Sequence, residues 1–343
     1  PPPPHYFFQA DEGIRYFCLS RGLGDVYKRQ RLQRSNSRYL IMAISRAQLV
    51  KELEPGLNAL FGLEYDRYEN EHAEIFDTAT SERAFEEEVM LSGFDVAPVK
   101  SEGSGVAFDT AQESFTARYS HETVALAFSI TEEAIEDNLY DRLSARYTRA
   151  LARSMSTTKQ IKAASVLNNA FSSSFAGGDG KELCATDHPT ISGGSLSNEL
   201  STSADLNETS LEQALIDIAA FVDERGLKVA VQGTKLIIPK ELQFTADRLL
   251  ESPGRVNTSD NDINAIRNMG MVPEGYVVNH YLTDTDAFFI KTDAPNGFKM
   301  FERSPIRTSM EADFDTGNVR YKARERYSFG FSDPRCVFGS PGA

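Results

Sequence analysis

From residue 43 onward the apolar positions change their spacing several times, and each change predicts a new element. Ile44, Leu49 and Leu53, then Leu57, Leu60 and Phe61, suit two short helical stretches separated at Pro55-Gly56, an arm more than a core element. Residues 115–130 alternate strictly. Tyr119, His121, Thr123, Ala125, Ala127 and Ser129 fall on one side and Arg118, Ser120, Glu122, Val124, Leu126, Phe128 and Ile130 on the other, the pattern of one long strand. The period then becomes helical. Ser129-Ile-Thr-Glu132 has capping-box spacing, Glu132 and Glu133 suit the positive end of a helix, and no Gly or Pro occurs between Thr131 and Ala176. Ile135, Leu139, Leu143, Tyr147, Leu151 and Met155 recur every four residues, and Ile161, Ala164, Leu167 and Phe171 extend the face. This predicts a spine helix over about 131–171, ~40 residues and about 60 Å long at 1.5 Å per residue.

A polar stretch, 177–210, separates the helix from a compact α/β unit. Leu211, Leu215, Ile218 and Val222 mark a helix ending near Gly226; Leu236-Ile-Ile238 is a buried strand stopped by Pro239; Leu242–Leu250 returns to helix. Tyr276-Val-Val278 with Tyr281-Leu282 and Ala287–Ile290 flank a Thr283–Asp286 turn, and Asn296-Gly297 predicts another hairpin before Phe298–Phe301. In the last strand Val319, Tyr321, Ala323, Glu325, Tyr327 and Phe329 take one face while Arg320, Lys322, Arg324 and Arg326 take the other. Four successive cations on one strand face repel one another unless anions lie opposite.

Charge sharpens this picture. The 343 residues carry 36 basic and 50 acidic side chains, a formal net charge of -14, which argues against a surface that grips nucleic acid over its whole extent. Residues 64–102 hold 12 acids and 3 bases, with Glu86, Glu87 and Glu88 in succession, and include Phe76, Phe85, Val89, Met90 and Phe94. A charge run is ordinarily a solvated face. This one is too long for a connection and too apolar for a free linker, so it should lie against something. On the predicted spine Arg142, Arg146, Arg149 and Arg153 project from one side. Such a stripe suits solvent first, an acidic partner subunit second and nucleic acid third.

Residues 1–41 differ from everything after them. Pro1–Pro4 and an aromatic patch precede a basic stretch without period, and Cys18–Gln30 resembles the conceptual translation of a sequencing adapter. They have no apolar h-region of a secretion signal. We expect a non-native leader and a true start at Met42, and leave 1–41 out of the fold reading.

Candidate chemistry is sparse. Cys18, Cys184 and Cys336 are distant and odd in number, against a disulfide framework or zinc site and in favour of synthesis in a reducing interior. No apolar run approaches the ~20 residues that cross a bilayer, and no membrane partner is expected. Asp187-His188 with Ser192 is a poor nucleophilic triad, because neighbours in sequence rarely converge, and reads as a turn fixed by Pro189. His72, His121 and His280 lack ligand companions. Gly177-Gly178-Asp179-Gly180-Lys181 has the wrong spacing for a phosphate loop, and Asp284-Thr-Asp286 lacks the rest of a calcium loop. We therefore expect no catalytic residue, no metal and no cofactor.

The order of elements, with Ser129-Ile-Thr-Glu-Glu133, Ala185-Thr-Asp-His-Pro189, Leu236-Ile-Ile-Pro239, Tyr281-Leu-Thr-Asp-Thr-Asp286, Tyr327–Pro334 and Gly339-Ser-Pro-Gly342, resembles the major capsid protein of tailed bacteriophages, the Hong Kong 97-type α+β fold. The likeness is nearest to the Mu-type head subunit and marine phage capsids. It implies an N-terminal arm at 42–65, an extended loop at 66–118, a peripheral domain at 119–205 with 300–338, and an axial domain at 206–299. It further implies a homo-oligomer of hexamers and pentamers, a virion location after synthesis in the host cytoplasm, weak non-specific contact with packaged double-stranded DNA, and scaffolding, portal or decoration proteins as further partners. An encapsulin-like compartment shell is the alternative, and an unrelated enzyme a more distant one. Glu86–Glu88 and the cations at 142, 146, 149, 153, 320, 322, 324 and 326 are the expected subunit-interface residues, with the acidic loop of one copy meeting the cationic strand of another. Lys100, the lysine of the acidic segment, is a poor candidate for cross-linking.

Overall fold

The computed structural model describes residues 46–137, 140–255, 262–313 and 315–343; the leader at 1–41 lies outside them. The first element, α1 (Arg46–Tyr65), is one helix that runs through Pro55 and not two stretches broken there. A proline inside a helix costs about 3 kcal/mol. Packing outweighs that cost. Leu57 and Phe61 are buried against Leu151, Ala152, Met155, Tyr321 and Ala323, each such side chain contributing roughly 1.5–3 kcal/mol. Asn58 accepts hydrogen bonds from Thr308 Oγ1 and Tyr321 OH, both at 2.8 Å. The expected arm is thus docked on its own body, at least over residues 57–65.

After a 3-10 turn at Glu71–Glu74 come β1 (Asp77–Thr80), β2 (Phe85–Leu91), β3 (Glu113–Ser120) and β4 (Glu122–Ile130). The single strand expected over 115–130 is therefore two. His121 marks the break: its ring contacts Ser81 Oγ at 2.9 Å and Ser328 Oγ at 3.0 Å, so it is pinned between elements. On either side of it β3 pairs with β2, and β4 with the last long strand.

The spine begins with a short helix, α2 (Glu132–Glu136), and continues as α3 (Tyr140–Asn168). At 29 residues α3 is about 43 Å long, shorter than expected. Its end is set by Asn168, whose amide donates to Tyr281 O at 3.1 Å and accepts from Thr283 N at 3.0 Å. The following Ser172-Ser173-Ser174 run favours turn over helix.

The remainder comprises β5 (His188–Pro189), β6 (Ser195–Leu196), α4 (Glu208–Ala219), β7 (Gly233–Ile238), α5 (Gln243–Glu251), α6 (Ala265–Met269), β8 (Tyr276–Val278), β9 (Phe288–Thr292), β10 (Phe298–Ala312), β11 (Val319–Phe331) and β12 (Val337–Ser340). Asn207 caps α4 by accepting from Ser210 N, in a reciprocal capping box. One four-stranded sheet has the order β1-β10-β11-β4 and a second β12-β9-β7-β8. Neither expected hairpin forms. β8 and β9 flank β7 from opposite sides, and the Asn296-Gly297 turn, with Asn296 at φ 57°, carries the chain from the second sheet into the first. The reason is burial: Leu236, Ile237 and Ile238 are wholly enclosed, so β7 requires neighbours on both edges. β12 completes that second sheet, and Leu196, Leu200 and Phe338 share its core, so the expected boundaries near 205 and 300 do not separate the two cores. A second cluster, around Phe76, Leu167, Phe289, Phe298 and Tyr327, lies between the sheets and α3.

Candidate assembly surfaces

β2 and β3 form a two-stranded hairpin with Glu86 opposite Tyr119, Glu87 opposite Arg118 and Glu88 opposite Ala117. Its root is anchored on the first sheet. Tyr119 and Ala117 pack on Phe301, and Tyr119 OH meets Ser332 Oγ at 2.5 Å. Gly178 approaches so closely that a Cβ there would lie 2.7 Å from Thr116 O. The period-2 geometry of a strand then splits the acidic triplet. Glu88 binds Lys299 and accepts from Ser332 Oγ. Glu86 accepts from Ser81 Oγ at 2.7 Å. Glu87 points the other way, 3.8 Å from Arg118, which also lies over the Phe85 ring. Of the three carboxylates expected at a subunit interface, Glu86 and Glu88 are bonded within the chain and hold the hairpin to its own body.

The tip of the hairpin is different. Every residue from 93 to 112 is exposed, including Lys100, and Val99 and Phe108 are each 97% exposed, with Phe94, Val96 and Val106 beside them. The tip is tethered at its base by Arg225, which donates to Thr110 O at 2.6 Å and reaches Asp109 at 3.4 Å. Behind it Arg335, buried, donates to Glu224 at 2.5 Å and to Asp333 at 3.1 Å. Burial pushes the Asp333 carboxyl up despite that guanidinium.

The last long strand shows the expected alternation, with Val319, Tyr321, Ala323 and Glu325 buried and Arg320, Lys322 and Arg324 exposed. Arg320 is neutralised by Asp313. Lys322 and Arg324 have no ion-pair partner among the described residues, and Arg324 stands directly opposite Arg307 of β10. Arg326 is half-buried, its Nε unpartnered like that of Arg303. On α3, Arg153 pairs with Glu64 at 3.1 Å and lies over the Tyr68 ring, holding the Glu64 carboxyl below the usual range. Arg146 and Arg149 are exposed without an anion among the described residues; the Arg142 side chain lies outside them.

Two buried polar centres gave no sequence signal. Asn198, fully enclosed, accepts from Ala185 N at 2.8 Å and donates to the carbonyls of Leu183, Pro334 and Val337. His188 Nε2 also meets Asn198 Oδ1, at 3.1 Å, and Nδ1 meets Asp179 at 2.6 Å. The His188 partner is thus Asp179, while Asp187 turns to Lys181 at 2.5 Å. The second centre is Glu325, which accepts from Tyr65 OH at 3.0 Å with Lys159 at 3.9 Å. Burial raises its carboxyl above the ordinary range. Among the described residues no group of three or more His, Cys, Asp or Glu is placed to hold a metal ion, and no helix is long and apolar enough to cross a membrane.

A body this well bonded internally, with its apolar and cationic groups displayed on a projecting hairpin and on a sheet face, belongs to the class of structural subunits completed by other chains. Residues 114–339 match the phage capsid protein family, and the chain belongs to that family. No curated protein sequence matches it. Among solved structures it is similar to the virus-like particle from Pyrococcus furiosus, at 11% identity, covering 84% of this chain and 99% of that one with a TM-score of 0.49. It is also similar to a Mycobacterium phage Che8 chain, at 16% identity, 76% and 86% coverage and a TM-score of 0.45. A third likeness is to the procapsid of bacteriophage JBD30, at 13% identity, 85% and 74% coverage and a TM-score of 0.46.

Proposed function

We propose that this chain is the major capsid subunit of a tailed phage, assembling with copies of itself into hexamers and pentamers of a closed shell around double-stranded DNA. The family match supports the class, and one observation carries the assembly: the hairpin tip displays Phe94, Val96, Val99, Val106 and Phe108 to solvent. Burying five such side chains against a neighbour would contribute roughly 1.5–3 kcal/mol each before the cost of association. The described body of the subunit leaves them uncovered. Symmetric repetition of that one contact closes rings and shells.

The test is expression of the full chain, followed by sedimentation and negative-stain microscopy. Closed particles containing nucleic acid are expected. The variant Val99→Ser with Phe108→Ser should keep the subunit's circular dichroism and lose particles. Particles formed at the normal yield by this variant would refute the tip's role, and shells enclosing a co-purifying protein in place of DNA would favour a compartment shell.

A further inference from the structure

The outer face of the β10–β11 ribbon carries more cations than anions: Glu311 stands opposite Arg320, which Asp313 also neutralises, and beyond that pair the face is cationic. Arg307, Lys322 and Arg324 are exposed and have no ion pair among the described residues, and Arg307 and Arg324 sit directly across from each other. Like charges in that position are destabilising. The flanking side chains, Ala125, Ala127 and Ser309, are small, so nothing shields the track from an incoming surface. Glu86 and Glu88 of the hairpin are already bonded within the chain, which leaves Glu311 as the acid on this face.

Elsewhere on the molecule lies a surface of the opposite kind. A cleft of about 690 Å³ between the 3-10 turn at Glu71–Glu74 and β8 is lined by Glu69, Glu71, Glu74, Glu274, Tyr68 and Tyr276, among others. Its lysine, Lys235, is shared between Glu74 at 2.7 Å and Glu274 at 3.1 Å, and His280 is bonded to Glu71 at 2.7 Å. One lysine between two carboxylates, with Glu69 in no ion pair among the described residues, leaves the cleft negative. Tyr68 already has Arg67 and Arg153 over its ring, so Tyr276 beside the carboxylates is the face that suits a guanidinium, which stacks and donates at once.

We propose that the cationic face formed by Arg307, Lys322 and Arg324 is covered by a second copy of this chain, whose acidic cleft around Glu69 and Glu274 receives those side chains. The proposal rests on the shell reading above and specifies one of its contacts. Two different patches that complement each other form a heterologous contact, the kind that propagates around a ring. Nucleic acid is the weaker occupant. Three free cations displace about three counterions, and the affinity they supply at physiological salt is small, on a subunit of net charge -14.

Compensated charge reversal in the full chain tests this. Lys322→Glu with Arg324→Glu, and separately Glu69→Lys with Glu274→Lys, should each leave the subunit's circular dichroism intact and raise the concentration needed for shell formation at least tenfold. The chain carrying all four substitutions should form shells again at a concentration within threefold of the original. Glu69→Gln with Glu274→Gln, which removes the charges without reversing them, should raise that concentration severalfold and covers the case in which the lysine variant fails to fold. Assembly of the reversed-strand variant at the original concentration overturns the proposal, as does failure of the fourfold variant when both pairs fold. Shells of the reversed-strand variant that form normally but lose DNA would assign the face to nucleic acid instead. If the unaltered chain forms no shell, the capsid reading itself fails.

Discussion

Asn198→Ala attacks the point at which the 183–198 loop region is tied to the C-terminal segment around Pro334 and Val337. Its amide bridges Leu183, Pro334 and Val337 carbonyls while its oxygen accepts from Ala185 N and His188, all in a fully buried position. Five hydrogen bonds at a net ~1 kcal/mol each set a scale of about 5 kcal/mol. The vacated space is about that of one water, which would restore part of it; a loss of about 3 kcal/mol is the expectation. Urea unfolding of the unassembled subunit measures it, followed by far-UV circular dichroism because the chain has no tryptophan. Asn198→Asp is the informative control. It keeps both acceptor contacts but turns an oxygen toward three carbonyl oxygens, so it should cost more than alanine even though its shape is closer to asparagine. An alanine variant within about 1 kcal/mol of the parent, or an aspartate variant more stable than the alanine one, would show that the hub does not hold this junction.

Two further outcomes follow from the same body. Burial, with Lys159 adding, lowers the His72 pKa from 6.5 to about 4. The unfolded chain therefore takes up that proton first, and the stability His72 allows is complete above pH 6.5 and lost as pH falls toward 4. The full shift corresponds to roughly 3 kcal/mol and screening reduces it to about 1–2, so His72→Phe should flatten the stability profile between pH 6.5 and 4 and change little at pH 7.5; an unchanged slope refutes this. Gly178→Ala forces a Cβ onto the Thr116 carbonyl and should lift the hairpin root, speeding limited proteolysis within 92–112 severalfold while unfolding of the rest changes by about 1–3 kcal/mol; equal cleavage rates refute the docking.

Much of this was written in local spacing. The alternation of 319–325 and the buried run 236–238 sit where the pattern predicts, since a strand's faces are set by adjacent residues alone, whereas beyond Arg326 the alternation lapses with Ser328 buried and Phe329 half-buried. What could not be read was decided by partners far along the chain. Pro55 reads as a break until Leu57 and Phe61 find Leu151 and Tyr321; His121 reads as one more strand residue until Ser81 and Ser328 pin it. The candidate surfaces divide the same way. The cations at 322 and 324 were legible because period 2 isolates them on one face, whereas the engagement of Glu88 by Lys299 joins residues too far apart for any spacing to announce. Asn198 is an ordinary asparagine in a polar loop until folding surrounds it with carbonyls.

The β10–β11 ribbon runs through two separate cores. Phe298, Met300 and Tyr327 belong to one, Tyr321 and Ala323 to another, with Ile306 and Met310 packed on the latter. Between these anchorages the pairing slips register twice, from Glu302 to Ser304 and from Ser304 to Arg307, around Pro305. A beam clamped at both ends and notched in the middle yields at the notch, because missing ladder bonds make that stretch the softest in bending. Any bending of the ribbon is therefore expected at residues 302–307, where the pairing is interrupted, leaving both packed ends intact.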